Sequence, residues 1–464
     1  MRYLLILLSV AAAATPAEVP APDWTRAGAE LLEHYQALLR IDTSNPPGNE
    51  TAAAKYFQSV LEREGIGSKL LALEPSRGNL VARLRGNGSK RPILVMGHTD
   101  VVGVQREKWT VDPFAALRKD GYVWGRGALD DKDNLASALM LMLLLKRQGV
   151  KLDRDVIFVA EAGEEGNTRV GINYLVEQQW SEIDAEYALA EGGGGAVRDG
   201  KPRYVTIATT EKIPRGIRLV ARGTAGHGSR PRPDNAVVRV AGAVAKVGAW
   251  QPPMRLNDVT RAYFERLATI SEPEAAFRYN HIGDAQHAAA IERHFAANEL
   301  LHSSMLRTSI SPTIIKAGFR SNVIPSEAEA TLDVRALPDE DLDRLHAEVR
   351  RVIGDPNVEV IGARTGRPAG APSRLDTEMF RAIEAAQRRV YPGAITLPTM
   401  LAGATDMAQL RAKGVQAYGF GPVTDEKDHD RGGAHGDDEK LSEAALQKLL
   451  EFLWQAVVEV AAVP

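Results

Sequence analysis

The chain has 464 residues, with 44% hydrophobic and 25% charged residues and a formal net charge of −3 from 57 basic and 60 acidic side chains. That length suggests two domains or three, and the near balance of charge leaves no global field to favour nucleic acid or an anionic membrane. Cysteine is absent, which excludes disulfides, thiolate metal sites, a thiol nucleophile and a lipid-modified N-terminal cysteine.

Residues 1–17 read as a signal peptide. Arg2 supplies the charged start, and "YLLILLSVAAAA" (Tyr3 to Ala14) is an apolar run shorter than the roughly 20 residues needed to span a bilayer. Cleavage near Ala14 to Ala17 would leave an exported protein, periplasmic or secreted, with no stable membrane anchor; an uncleaved anchor is the alternative. "GAELLEHYQALLRI" and "ETAAAKYFQSVLEREG" then carry helical spacing, and Gly65 closes the second. "NLVARLRG" and "PILVMGHTDVV" are short apolar runs, the latter continuous enough for a central strand buried on both faces. "LASALMLMLLLKRQG" predicts an apolar helix, and "DVIFVA" and "YALAEG" two more strands. Strands alternating with helices predict an α/β fold with a mainly parallel sheet flanked by helices, begun by residues 22–212.

The middle of the chain changes character. "GIRLVARG", "PDNAVVRVAGAVAKVGAW", "TIIKAGFRSNVIP", "SEAEATLDVRALP", "DEDLDRLHAEVRRVIG" and "NVEVIGA" read as β-α-β-β-α-β. That order predicts a ferredoxin-like antiparallel sheet with two helices on one face, spanning 213–364. About 60 residues, 251–309, interrupt it as a helical insertion of unassigned role. From 365 to 464 the chain returns to the first domain through "DTEMFRAIEAAQRRVYPG", short strands and the helix "SEAALQKLLEFLWQAVVEVAA".

Three apolar strands end in metal-ligand types. "PILVMG" leads to His98 and Asp100, "VIFVA" to Glu164 and Glu165, and "YALA" to Glu191. Strand ends of an open α/β sheet gather on one rim. Asp130 and Asp131 follow on a Gly-rich turn, and His435 lies far away in "GGAHGDDE". Each piece alone has an ordinary explanation: a satisfied core histidine, a solvated acidic turn, or a helix cap, which Asn134 could also provide. Taken together, imidazole and carboxylate without sulfur suit zinc, manganese or cobalt. Two histidines and three carboxylates suffice for two ions about 3.5–4 Å apart if one carboxylate bridges them. A cation on one member of the Glu164–Glu165 pair would also offset their mutual repulsion.

The motifs "GHTDVV", "GRGALDDKDN", "GEEG", "AEGGGG", "GTAGHGSRP", "NVIPSEAEATLDVRALP", "GATDMAQL" and "GAHGDDE" resemble, in order, those of metallopeptidase family 20. This is the group of glutamate carboxypeptidase, aminoacylase, acetylornithine deacetylase and succinyl-diaminopimelate desuccinylase. The resemblance covers nearly all of the chain after the leader. It implies a zinc-peptidase-like catalytic domain with an inserted lid and dimerisation domain. It also implies two divalent ions, zinc first, with cobalt or manganese as alternatives. His98 and Glu191 would hold one ion, Glu165 and His435 the other, and Asp130 would bridge them through a cis peptide bond to Asp131. His429 competes with His435 by position, but only His435 carries the family's HxxDE spacing. Asp100 would accept the second ring N–H of His98, and Glu164 would be the general base. His227 would donate to the oxyanion, often across a homodimer, and Asn322 and Arg335 would clamp a substrate carboxylate. For Arg335 a plain strand-end salt bridge is the alternative.

Gly163 stands where many members carry Asp before the acidic pair, which leaves the anchoring of that loop open. The 251–309 insertion is longer than in the simplest members and would either enlarge the dimer contact or shape the substrate pocket. The expected activity is amide hydrolysis on small substrates with a free carboxylate, as a carboxypeptidase or dipeptidase. The alternative is an N-acyl amino acid deacylase, which an apolar, acyl-sized cavity would favour. A non-catalytic binding protein on the same fold is the reading from another class.

Overall fold

The computed structural model describes residues 19–362, 367–425 and 432–463; the expected leader at 1–17 and His429 lie outside them. Asp23 caps the first helix, α1 (Trp24–Leu39), by accepting the N–H groups of Thr25 and Arg26. α2 (Glu50–Arg63) follows, and then the antiparallel strands β1 (Ser68–Ala72) and β2 (Gly78–Leu84). β3 (Ile93–His98) and β4 (Val156–Glu161) are buried at every position and pair in parallel, with α3 (Lys132–Arg147) between them in the chain. α4 (Ile172–Gln178), β5 (Tyr187–Ala190), β6 (Gly194–Arg198) and β7 (Lys201–Glu211) complete the first pass.

The chain then builds a second sheet from β8 (Ile217–Arg222), α5 (Ala236–Ala249), the four insertion helices α6 (Asp258–Ala268), α7 (Pro273–Asn280), α8 (Ala288–Asn298) and α9 (Leu300–Met305), β9 (Ser309–Ala317), β10 (Glu327–Ala336), α10 (Leu342–Ile353) and β11 (Val358–Gly362). It returns through α11 (Glu378–Val390), β12 (Ile395–Leu401), α12 (Met407–Ala412), β13 (Gln416–Gly419), β14 (Val423–Asp425) and the long α13 (Glu443–Ala461).

Among the described residues the large sheet has ten strands, ordered β1-β2-β4-β3-β5-β13-β7-β6-β14, with β12 also on β7. Its centre, β4-β3-β5-β13, is parallel as expected. The flanks are mixed: β1 with β2 and β6 with β7 are antiparallel, joined by short connections that reverse the chain, whereas β14 on β6 and β12 on β7 are parallel. Alternate residues of β3 explain why both faces are dry. Ile93 and Val95 join the core formed with α1, α2, α3, α11 and α13, while Leu94 and Met96 join that under α4 and α12.

The second sheet runs β9-β10-β8-β11, every neighbour antiparallel, which is the order a β-α-β-β-α-β unit gives. α5 and α10 cover one face through Val240, Val247, Leu345 and Val349. β9 is an edge strand, and Ile314 and Ile315 on it are exposed, as is Phe319 just beyond. The insertion is helical as expected. Its apolar face lies on the large sheet: Val259, Phe264 and Phe295 share a core with Leu397 and Met400 of β12. No helix among the described residues is long and apolar enough to cross a membrane.

Candidate metal centre and its surroundings

The parallel register aligns the strand ends. His98 pairs with Glu161 at the end of β4, and Val95 pairs with Leu189, two residues before Glu191. All three β3–β5 ends therefore open on one rim. Gly97 sits there by necessity, since a Cβ would collide with the carboxylate of Asp131. Asp131 occupies the N-cap position of α3 but makes no cap bond; it accepts the backbone N–H of His98 and the side-chain amide of Asn134, which lies inside the helix. The Asp130–Asp131 peptide is cis.

Asp130 stands between the two histidines. Its Oδ1 is 2.9 Å from His98 Nε2, and its Oδ2 is 3.0 Å from His435 Nε2. Glu165 Oε1 is 2.9 Å from the same His435 nitrogen, and Glu191 Oε2 is 3.9 Å from His98 Nε2. Two clusters result, His98–Asp130–Glu191 and Asp130–Glu165–His435, each with ligand atoms within 4.8 Å of one another. Asp130, the expected bridge, belongs to both clusters. Side chains from residue 98 to residue 435 meet around one carboxylate.

The donor chemistry fits two divalent ions. His98 Nδ1 faces the backbone carbonyl of Asp100 at 2.9 Å, which can only accept, so Nδ1 carries the proton and Nε2 keeps its lone pair for a metal. Burial pushes the Glu191 carboxyl well above the usual range, with repulsion from Glu164, Asp130 and Asp131 adding to it. Bonds to Asp130 and Glu165 lift His435 to about 10. Cations at these two points would offset the carboxylate repulsion and replace protons on both rings.

Asp100 differs from expectation in its partners. Its carboxylate is 3.6 Å from His98 Nδ1, and the ring bond goes to its carbonyl instead. The carboxylate accepts the N–H groups of Gly163 at 2.9 Å and of Glu164 and Glu165 at 3.1 Å, with Asn45 Nδ2 at 2.8 Å. Burial opposes this charge, but its bonds hold Asp100 below the usual carboxylate range. Here lies the anchoring of the acidic loop: Gly163, at φ 83°, turns three successive N–H groups onto one carboxylate.

Glu164 is mostly buried, and its Oε1 accepts Arg367 Nη2 at 2.6 Å. Burial, with repulsion from Asp406, lifts Glu164 to about 8 despite Arg367. Sequence reasoning missed Arg367, which stands in a Gly/Pro-rich stretch with its partner about two hundred residues away. It also missed the tie made by Glu439, which accepts Arg126 Nη1 at 2.6 Å and the backbone N–H groups of Gly127 and Leu129 at 3.0 and 2.7 Å. Glu439 thereby fixes the turn that carries Asp130. The HxxDE spacing was the available signal.

The partners recorded for the second-sheet candidates lie within their own segment. His227 is exposed, and its Nδ1 meets Ser229 Oγ at 2.7 Å. It neighbours Asn322, whose carbonyl accepts the Gly228 N–H at 2.8 Å. Arg335 is bound to Asp333 at 3.0 Å on its own strand, as the salt-bridge alternative had it. Among the described residues no hydrogen bond or ion pair joins these three to the five ligand candidates.

The sequence pattern of the peptidase family M20/M25/M40 matches residues 94–459. The chain belongs to that family. N-fatty-acyl-amino acid synthase/hydrolase PM20D1 of Xenopus tropicalis is 28% identical over 92% of this chain and 85% of its own length. Aminoacylase-1 of Sus scrofa is 26% identical over 93% and 95%. The fold matches that of an M20 family metallo-carboxypeptidase from Sulfolobus solfataricus with a TM-score of 0.67, at 18% identity over 92% of this chain and 99% of that one. As an M20 member with this cluster of ligands, the protein is a metal-dependent hydrolase of the peptidase and aminoacylase group.

Proposed function

We propose that the protein hydrolyses the amide bond of small substrates that release an amino acid with a free carboxylate. The single observation carrying this reading is the Asp130 carboxylate set between His98 and His435, with Glu164 beside Glu165. When bound, the two ions, zinc first, supply Lewis-acid activation of the attacking water and of the scissile carbonyl. Glu164 takes the proton from that water and passes it to the leaving amine. Asp100 keeps Glu164 in place by holding the loop's N–H groups. His227 donates to the oxyanion, an interaction typically contributing about 3–4 kcal/mol, and Asn322 and Arg335 hold the substrate carboxylate.

Carboxypeptidase or dipeptidase activity is the first reading, joined to export into the periplasm or medium, where peptide scavenging is useful. The second is N-acyl amino acid hydrolysis, favoured by relatives with that chemistry in their names along nearly the whole chain. One assay separates them. The zinc-loaded protein is incubated with a mixed library of dipeptides, short peptides and N-acyl amino acids, and consumption is followed by mass spectrometry. Loss of peptides alone supports the first reading, and loss of acyl amino acids alone the second. No turnover of any amide by protein with its metal bound would leave a binding protein.

We also propose a homodimer through the second sheet. The exposed edge strand β9, with Ile314, Ile315 and Phe319, supports it, because an unpaired edge bearing apolar side chains is a ready surface for a second copy.

A further inference from the structure

Arg367 sits where the chain returns from the second sheet to the first. Its side chain is 13% exposed, and Nη2 grips Glu164 Oε1 at 2.6 Å. Nη1 lies 3.5 Å from Asp406 Oδ1. The backbone of Arg367 is fastened too. Its carbonyl accepts Arg215 Nη1 at 3.0 Å, and the Arg215 N–H donates to the Val334 carbonyl of β10 at 2.8 Å. Both crossings between the sheets therefore fix the point from which this guanidinium projects. Glu164 Oε2 receives no hydrogen bond from the described residues, which leaves that edge of the carboxylate open.

The surroundings give the pair its meaning. Glu161 and Asp406 are buried carboxyl groups: burial, the charge of Asp406 and a bond to it raise Glu161, while Glu164 repels Glu161 and Asp406 repels Glu164. A glutamate with three rotatable bonds in such company would swing towards solvent without a cation to hold it. A planar guanidinium restrains direction as well as distance. A displacement of about 1 Å in a reacting group can cost on the order of a hundredfold in rate.

We propose that Arg367 is the positioning residue for Glu164: it holds one carboxylate oxygen so that the other faces the reacting proton. The proposal rests on the reading of Glu164 as the base. Arg367 acts through Glu164 and holds no substrate.

The test compares Arg367→Gln, Arg367→Lys, Glu164→Gln and the Arg367→Gln/Glu164→Gln double variant, each zinc-loaded and assayed on the best substrate from the library. Arg367→Gln should lower kcat about a hundredfold, with KM within about threefold and metal content as in the parent. Arg367→Lys, with a single point charge, should restore part of the loss and stand about tenfold below the parent. In the Glu164→Gln background, Arg367→Gln should change the residual kcat by less than about twofold, because the effect runs through the base alone. An unchanged kcat in Arg367→Gln overturns the proposal. So does a rise in KM alone, which would make Arg367 a substrate contact, or an equal loss in the Glu164→Gln background. If Arg367→Gln fails to fold, Arg367→Lys decides: full turnover overturns the proposal, and a tenfold loss in kcat at constant KM supports it. Wild-type turnover by Glu164→Gln removes the base reading itself. Parent-like Arg367→Gln beside a crippled Glu164→Gln removes only this proposal.

Discussion

At the carboxyl edge of the large sheet, His98, Asp100 and Glu439 are buried and bound to groups supplied from far along the chain. On the second sheet, His227 and Asn322 are exposed, and Arg335 is tied to a residue two positions away. The two regions carry the same sort of polar side chains with opposite degrees of constraint. The candidate ligand His98 and the carboxylates of Asp100 and Glu439 are fixed by several bonds, although His435 itself stays exposed. On the second sheet His227 and Asn322 are left accessible, as a proposed contact with substrate or a second copy would require.

Removing the metal should produce the largest effect. Dialysis against a chelator should abolish measurable turnover, with recovery on adding zinc, cobalt or manganese. Full activity at verified zero metal content would break the constrained half of the comparison. The sign of the pH dependence follows from the histidines. His435 is lifted to about 10, and His98 is raised by its bonds to Asp100 and Asp130 although burial alone would lower it. The His435 ring is thus protonated in the metal-free protein at pH 8. Zinc titration in weak buffer should therefore release protons, and affinity should fall as pH drops. Uptake of protons, or pH-independent affinity, would contradict this.

Next comes Glu164→Ala, expected to lose about 10²–10⁴-fold in kcat with both metal clusters still loaded. Retained turnover would rule out its role as base. His227→Ala should cost on the order of a hundredfold in kcat without moving the melting temperature, since the ring is exposed and, among the described residues, bonded only to Ser229. A large fall in melting temperature would show His227 to be structural and blur the distinction between the regions. For Arg335→Ala the effect should fall on KM for carboxylate-bearing substrates, and unchanged kinetics would return Arg335 to its salt bridge with Asp333. Smallest in effect on chemistry within one chain, Ile315→Asp with Phe319→Ser should shift the sedimentation of a dimer towards monomer. An identical sedimentation profile would count against the second sheet as the contact.

Strand ends, glycines and the order of motifs made the candidate metal ligands legible in the sequence, because each piece alone has an ordinary explanation but the set together does not. The ferredoxin-like sheet was legible for a similar reason: its elements follow one another apart from one interruption. The insertion was legible as helices but not in its place. Nothing in its periodicity says that Phe264 and Phe295 would pack on β12, more than ninety residues later in the chain. Arg367 was invisible for the same physical cause. A single ion pair between distant positions leaves no local pattern, and only the folded chain discloses it. Asp100 was half legible. Its nearness to His98 was clear, whereas its grip on three N–H groups depends on the positive φ of Gly163.

Glu439 holds the Asp130 turn from more than three hundred residues downstream. A nascent chain on the ribosome can complete the second sheet, whose strands lie between 217 and 362, well before Glu439 emerges. Until then the turn lacks its clasp and His435 has not been made. The candidate metal centre is therefore completed only after the second sheet has been made, because His435 and Glu439 both follow it in the chain.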